Sequence, residues 1–366
     1  MDCQKELFDI PDGVTYLNAA YMGPLMKSAA EIGAATVCKK KSPWDVKVDD
    51  FFEPPKKYYA LAAEMINANA DDIAIAAKNI KISAGQNIVV MADEFPSNVY
   101  SWVELAREHD AEVITVDWPA DDDWTSAILS AINENTAIVA GANAHWTNGM
   151  LIDLVAVGKK ARSVGASLVL DLMQTLGVVP FSVKDVDPDY MVVANYKWLL
   201  GPYSLGFIYV APRNHGGKPI EDSYITREGA EDFSRLVDYK DNYEPGARRF
   251  DMGEKGNFIN IAIANDALEK LNGFGVDNIS AYIKTLTDHC EICAKKIGQD
   301  VVDSNLRTPN LIGINFKDGV PDHVAPMLAE NNIYVSIRGN SIRIAPHIYN
   351  DKADIDRLFT LLESIL

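Results

Sequence analysis

The sequence predicts an α/β protein: a three-layer, mainly parallel sheet followed by a smaller C-terminal α+β domain. Three observations carry this. Short β-branched runs alternate with helical stretches through the first two thirds of the chain. The texture changes near residue 258, where long helical segments give way to short strands and a final helix. The residues least suited to a buried strand, Phe95, His145, Asp171 and Lys197, all fall at or just past strand ends.

In chain order, "QNIVVMADE", "AEVITVDWP", "TAIVAGANA", "SLVLDLMQ" and "DYMVVANY" read as buried strands. "NVYSWVELAREHD", "WTSAILSAINEN" and "LIDLVAVGKKARSVG" read as the helices between them. Strand, helix, strand at this spacing means right-handed crossovers and a sheet covered on both faces. "LGFIYVA" follows Lys197 after a short Gly-Pro turn and is expected to pair antiparallel. The stretch from about 212 to 257 is the most irregular, rich in Gly, Pro, Tyr and charge. Then come "LIGINFK", "HVAPMLAENN", "IYVSIRG", "SIRIAPH" and the helix "DIDRLFTLLESIL". The expected division is a large domain over 15–257 and a small one over 258–366, joined by residues 1–14. No internal repeat or low-complexity tract interrupts it.

Composition sets bounds on function. The 366 residues exceed one ordinary core, and 48% hydrophobic with 23% charged residues is the balance of a water-soluble globular chain. A formal charge of −18 with no compensating basic block would repel a nucleic-acid backbone, so a small metabolite is the expected partner. "MDCQKELFDIPDG" lacks the basic-then-apolar pattern of a signal peptide, and no apolar run reaches the roughly 18 residues of a membrane helix. The expected location is the cytoplasm. Four cysteines are too few for a disulfide scaffold. Cys290 and Cys293 form a CxxC, but within a helical period and without a second ligand pair, so they read as a half-buried helix face and no metal is expected.

Lys197 sits in "MVVANYKWLLGPYSLGFIYV", among apolar and aromatic residues and turn formers. Burial there lowers an ammonium pKa, and the neutral amine can condense with an aldehyde to form a Schiff base. In an open parallel sheet the ligand crevice lies beyond the carboxyl ends of the strands, where Phe95, His145 and Asp171 also fall. These residues together fit pyridoxal phosphate. Its pyridine nitrogen must stay protonated, so a carboxylate has to face it, and Asp171, 26 residues before the lysine, is the candidate. Gln174 is placed to reach the ring's phenolic oxygen, and either Phe95 or His145 to stack on the ring face.

At these residues the chain resembles the class V aminotransferase family of fold-type I pyridoxal-phosphate enzymes, which includes cysteine desulfurases, kynureninase and isopenicillin N epimerase-like proteins. "YLNAAYMGP" at 16–24 is similar to the family's opening turn, and by the resemblance Asn18 contacts substrate. "EFPSNVYSW" at 94–102 resembles the segment in which Phe95 stacks on the ring, and "HWTNG" at 145–149 the strand-end turn that offers Thr147. "DLMQ" supplies Asp171 and Gln174; "NYKWLLGP" supplies Lys197, with Tyr196 as a phosphate donor. "RRFDMGEKGNF" at 248–258 resembles the loop through which the second subunit reaches the phosphate, here by Asn257. The resemblance therefore implies a homodimer with shared active sites. In "IRIAPHIYND" it places Arg343 on the substrate α-carboxylate, a bidentate task suited to guanidinium geometry. Arg338 either recognises a second carboxylate or forms a surface pair.

One departure stands out. After a segment like "ADDIAI" (70–75) the family has a Ser/Thr- and Gly-containing turn that grips the cofactor phosphate at a helix N-terminus, whereas this chain runs straight into "AAKNIKISAGQNIVV". Either residues are missing from the chain as written, or the cofactor is held by fewer anchors. The expectation is the first, and an intact mass above the 40.3 kDa of these residues would carry it.

The reaction divides into branches. A cysteine desulfurase needs a nucleophilic cysteine shortly before the carboxylate-binding arginine; "YVSIRGNSIR" has none. Transamination, with an amino acid and a keto acid as substrates, is the nominal expectation because it requires no further catalytic group. Epimerisation and kynureninase-like or cysteine/selenocysteine lyase-like elimination stay open. If the phosphate turn is truly absent, a non-catalytic binding protein on the same fold is the alternative. A dehydrogenase is disfavoured, since no GxGxxG follows an early strand.

Overall fold

The computed structural model describes residues 1–39, 41, 42, 44, 46–74, 80 and 82–366. The expected site of the phosphate turn, directly after Ile75, lies outside the described residues.

The chain begins with β1 (Thr15–Tyr16), α1 (Lys27–Lys39) and α2 (Asp49–Ile66), then enters the large sheet. Its elements are β2 (Ile73–Ala74), β3 (Asn87–Met91), α3 (Ser97–Glu108), β4 (Glu112–Val116), α4 (Trp124–Ala131), β5 (Thr136–Ala142), α5 (Leu154–Val164), β6 (Ser167–Asp171), α6 (Val183–Val186), β7 (Tyr190–Ala194) and β8 (Gly206–Val210). Among the described residues the strand order is β2-β8-β7-β6-β5-β3-β4. The five strands from β4 to β7 are parallel; β8 pairs antiparallel with β7, as the Gly-Pro turn after Lys197 led one to expect, and the edge strand β2 pairs antiparallel with β8.

This order positions the site. The chain leaves β3 outward to β4, then returns to the other side of β3 for β5, so the direction of winding reverses between β3 and β5. Crevices open at such switch points, outside the carboxyl ends of the strands. The ends of β3, β5, β6 and β7, neighbours in the sheet, lead to Phe95, His145, Asp171 and Lys197 respectively.

Helix starts follow from side-chain chemistry. Asp123 caps α4 through the amide of Ser126, and Asp153 caps α5 through Val155 and Ala156. Gly165, at φ 76°, ends α5 in the left-handed conformation that glycine adopts without penalty. The strand NIVVM of β3 is buried throughout, which is why it reads as an apolar run and not as an alternation.

The C-terminal part contains α7 (Phe258–Phe274), α8 (Val276–Lys296), β9 (Asp300–Val301), β10 (Ile312–Asn315), α9 (Val324–Glu330), β11 (Ile333–Tyr334), β12 (Ser336–Arg338), β13 (Ser341–Ile344) and α10 (Lys352–Ile365). Strands β12-β13-β10-β9 form an antiparallel sheet, and β1 pairs with β11. Ile312, Ile314, Ile342 and Ile344 pack with Leu358 and Leu362 of α10 and with Cys290 and Cys293 of α8. Both cysteines are buried helix-face residues, and burial pushes both thiols up. Helix α7 instead shares the core of α1, α2 and the large sheet, through Ile261, Ala264, Leu268 and Leu271. Truncating one such fully buried leucine to alanine costs about 2–5 kcal/mol.

Candidate active site

Lys197 lies three residues past β7 in a turn whose shape is fixed from several sides. Asn195 donates its amide to Leu205 and accepts the amide of Gly201, and its side-chain oxygen accepts a 2.8 Å bond from the Tyr58 hydroxyl. Leu200 and Ser204 hold φ of 52° and 62°, a left-handed conformation that non-glycine residues adopt only under constraint. Gly23 packs against the turn: its amide donates to Tyr196 at 2.8 Å, and a Cβ at this position would sit 2.2 Å from the Lys197 carbonyl oxygen. Close approach, and not backbone freedom, demands glycine here.

The Lys197 side chain enters a cavity of about 410 Å³, within the range of small-molecule sites. Phe95, Trp146, Gln174, Tyr196, Arg338 and Arg343 face it there. Lys197 is 8% exposed and makes no ion pair among the described residues. Its Nζ lies 5.8 Å from the centre of the Phe95 ring and 5.7 Å from that of Tyr196. Burial lowers its pKa to about 8; the Asp171 charge opposes the shift, and Arg343 and Arg338 reinforce it. A sizeable fraction of the amine is therefore neutral and nucleophilic near pH 8.

Asp171 closes β6, and its Oδ1 accepts the Met173 amide at 2.7 Å. Burial raises its pKa, opposed by that amide, by the Asn98 side chain and by the Lys197 charge. Each of the two ionisable groups thus senses the other, and each is held off its ordinary value by desolvation. A buried carboxyl of this kind gains from a cationic partner, which a protonated ring nitrogen supplies. Its open side faces a larger cavity of about 630 Å³ between α3 and the sheet, shared with Asn98, Trp102 and Leu105. Among the described residues that line it there is no lysine or arginine, whereas the smaller cavity holds Lys197, Arg338 and Arg343.

Arg343 is 1% exposed. Nη1 donates to the Trp146 carbonyl at 2.8 Å, Nη2 lies 3.5 Å from Ser336 Oγ, and Nε has no partner. No carboxylate pairs with it among the described residues. Burial and the Arg338 charge lower its pKa. A buried, half-satisfied guanidinium on a cavity wall is built to receive an anion. Asn18 supports it indirectly, since its Oδ1 accepts from the same Ser336 hydroxyl at 2.8 Å.

A match to the family model for aminotransferase class V runs over residues 65–358. The chain belongs to the class V aminotransferase family. It is an enzyme of that family, its fold is the type I fold of pyridoxal-phosphate enzymes, and its cofactor is pyridoxal 5′-phosphate. The uncharacterised aminotransferase YcbU of Bacillus subtilis is 25% identical over 80% of this chain and 79% of its own length. Isopenicillin N epimerase of Streptomyces clavuligerus is 21% identical over 80% of this chain and 77% of its own. Among solved structures, a lysine-to-alanine variant of C-DES with glycine covalently linked to its PLP cofactor superposes with a TM-score of 0.88. It shares 17% identity and covers 98% of this chain and 99% of its own.

Against the class V expectation the residues sort as follows. Phe95, Gln174, Tyr196, Lys197, Arg338 and Arg343 meet at one cavity, with Asp171 in electrostatic contact. Gln174 is anchored, accepting from Trp198 Nε1 at 3.1 Å and donating to the Ala20 carbonyl at 3.4 Å. His145 is not among these lining residues. It is fully buried, stacked at 5.6 Å on Trp124, and its two nitrogens bond Thr147 Oγ1 and the Ala92 carbonyl. Thr147 is its hydrogen-bond partner, and Asn257 is the exposed cap of α7, bonded to the amide of Asn260. Sequence reasoning passed over Trp146, which lines the cavity and lends its carbonyl to Arg343; it sits beside His145 in the quoted "HWTNG". Gly23, Tyr203 and Ser336 were also missed, because their role depends on packing between distant segments.

Proposed function

We propose that the protein catalyses a reaction at the α-carbon of an amino acid, with transamination as the specific reaction and a keto acid as second substrate. The observation that carries this is the convergence of a desolvated Lys197 and an unpaired, buried Arg343 on one cavity. The cofactor, when bound, supplies an electron-withdrawing ring that weakens the bonds to the α-carbon. Lys197 would hold the cofactor through its Nζ, and the same amine would serve as the general base for the α-proton. Asp171 would hold the ring-nitrogen side, Gln174 the phenolic-oxygen side and Phe95 the ring face. Tyr196 and Thr147 serve the phosphate, with His145 holding the Thr147 hydroxyl. Arg343 orients the substrate by its α-carboxylate, with Asn18 behind it through Ser336.

The working form we propose is a cytoplasmic homodimer in which Asn257 of one copy reaches the phosphate held by the other. Tyr21 and Tyr203, 55% and 63% exposed at the cavity, give this support, since exposed aromatics beside a site are what an interface covers. No described helix is long and apolar enough to cross a membrane. Sedimentation would read two chains per particle.

The test is visible absorption. Purified protein with pyridoxal phosphate is expected to show a violet-blue band that is absent in Lys197→Ala; a band that persists in the variant, or that never forms in the parent protein, would overturn the role given to Lys197. Incubation with a panel of amino acids then selects the branch: keto acid for transamination, inverted stereochemistry for epimerisation, released alanine for the kynureninase-like route.

A further inference from the structure

The cavity carries more positive charge than one α-carboxylate requires. Besides Lys197 it presents two guanidiniums, Arg343 and Arg338, and no aspartate or glutamate is among its described lining residues. By contrast Arg307, buried to a similar degree as Arg343 at 4% exposed, meets a carboxylate, Glu291, at 2.8 Å. Arg338 makes no ion pair among the described residues; its Nη1 donates to the carbonyl of its own neighbour, Ile337, at 2.8 Å, and its head lies 5.8 Å from the centre of the Trp146 ring.

Strand register fixes how the two arginines stand. Ser336 lies opposite Arg343 and Arg338 opposite Ser341 in the antiparallel pair β12–β13. Opposed residues share a face and so do residues two apart, so Arg338 and Arg343 leave the same side of the sheet on a cross-strand diagonal. Such diagonal neighbours lie about 7–8 Å apart. Two like charges at that spacing beside a third cation repel one another, a cost that a ligand with two negative groups relieves. Against a chain of net charge −18, the cavity is a local positive well for such a ligand.

We propose that the substrate is an α-amino acid whose side chain ends in a second carboxylate, of about the length of aspartate or glutamate, with Arg343 on the α-carboxylate and Arg338 on the distal one. This rests on the reading above that amino-acid chemistry occurs at Lys197. It adds a specificity-determining residue and names the substrate class.

Two measurements test it together. The first is binding of unreactive acids to the protein without cofactor, by calorimetry: succinate and glutarate are expected to bind at least about 10-fold more tightly than butyrate, and Arg338→Gln to erase the difference. The second is turnover by the cofactor-loaded enzyme of aspartate and glutamate against asparagine and glutamine. The acid-over-amide ratio of kcat/KM is expected to be 10-fold or more and to collapse toward one in Arg338→Gln, with partial recovery in Arg338→Lys. Equal binding of mono- and dicarboxylates overturns the proposal. So does an Arg338→Gln variant that keeps the acid preference and loses affinity for pyridoxal phosphate instead, which would assign Arg338 to the cofactor. If the violet-blue band and turnover of neutral amino acids persist without acid preference, this proposal falls and the reading of the site stands. If the band never forms, the reading of the site falls, and the binding arm still decides whether Arg338 receives a second carboxylate.

Discussion

His347 donates from Nε2 to the carbonyl of Trp198, the residue that follows Lys197, at 3.1 Å, while its Nδ1 accepts the amide of Ile348 at 2.7 Å. The ring also stacks on Trp198 at 5.6 Å. One imidazole thus ties the end of β13 to the lysine turn, in a fixed neutral tautomer.

Complete burial lowers the pKa of His347 to about 4, with the Trp198 carbonyl opposing the shift. The unfolded chain takes up this proton near pH 6.5, so the stabilisation is fully present above that value and is lost as pH falls through 4. The loss is on the order of 3 kcal/mol. Denaturant titrations at pH 7 and pH 4.5 are expected to show a fall in stability that His347→Gln lacks.

Glu94 titrates with the opposite sign. It is 8% exposed, its Oε1 accepts the Phe95 amide at 2.7 Å and its Oε2 has no partner. Burial raises its pKa to about 7, opposed by that amide and reinforced by the Asp171 charge. Its contribution is complete below about 4.5 and is lost as pH rises through 7. Glu94→Gln is therefore expected to be more stable than the parent protein at pH 8, and to lose that advantage at pH 5. Unfolding curves at the two pH values decide it.

Gly23→Ala brings a methyl group to within contact-forbidden distance of the Lys197 carbonyl oxygen and 2.8 Å from Leu200 Cδ2. Overpacking costs about 1–3 kcal/mol, and relief requires moving the lysine turn. Far-ultraviolet circular dichroism should be unchanged while affinity for pyridoxal phosphate, measured by equilibrium dialysis, drops at least 10-fold.

The Lys197 amine, with its pKa lowered to about 8, should condense with added pyridoxal phosphate faster as pH rises from 7 to 9, with a midpoint near 8. Stopped-flow absorbance reads this directly. The same burial costs the protein without cofactor stability as pH falls from 10.5 through 8, and the full cost is present at pH 7, so Lys197→Met should raise its stability there. A condensation rate flat with pH, or a destabilised methionine variant, would contradict the desolvated state of this amine.

Most of the architecture was legible in the residues themselves. The alternation of β-branched runs and helical stretches marked the parallel strands, and Lys197 stood out because a charge among Met, Val, Trp and Leu needs a reason. Asp171 and Gln174 are read from strand-end position and spacing to Lys197, Arg343 from the family resemblance, and the structure brings Gln174 and Arg343 to the Lys197 cavity. What escaped was set by three-dimensional packing: His145 looked like a ring for the cofactor face, yet Trp118 and Trp124, from segments far upstream, enclose it. Arg338 was ambiguous because only the β12–β13 register shows that it shares a face with Arg343.

The stretch from Leu17 to Gly23 bonds both walls of the cavity. Leu17 and Ala19 exchange backbone bonds with Ala345, beyond β13, and Gly23 bonds Tyr196 in the lysine turn. A seven-residue latch therefore spans the mouth, and the two sheets cannot rock apart without stretching it. The exposed rings of Phe95 and Tyr203 stand at that mouth, outside the latch's backbone bonds.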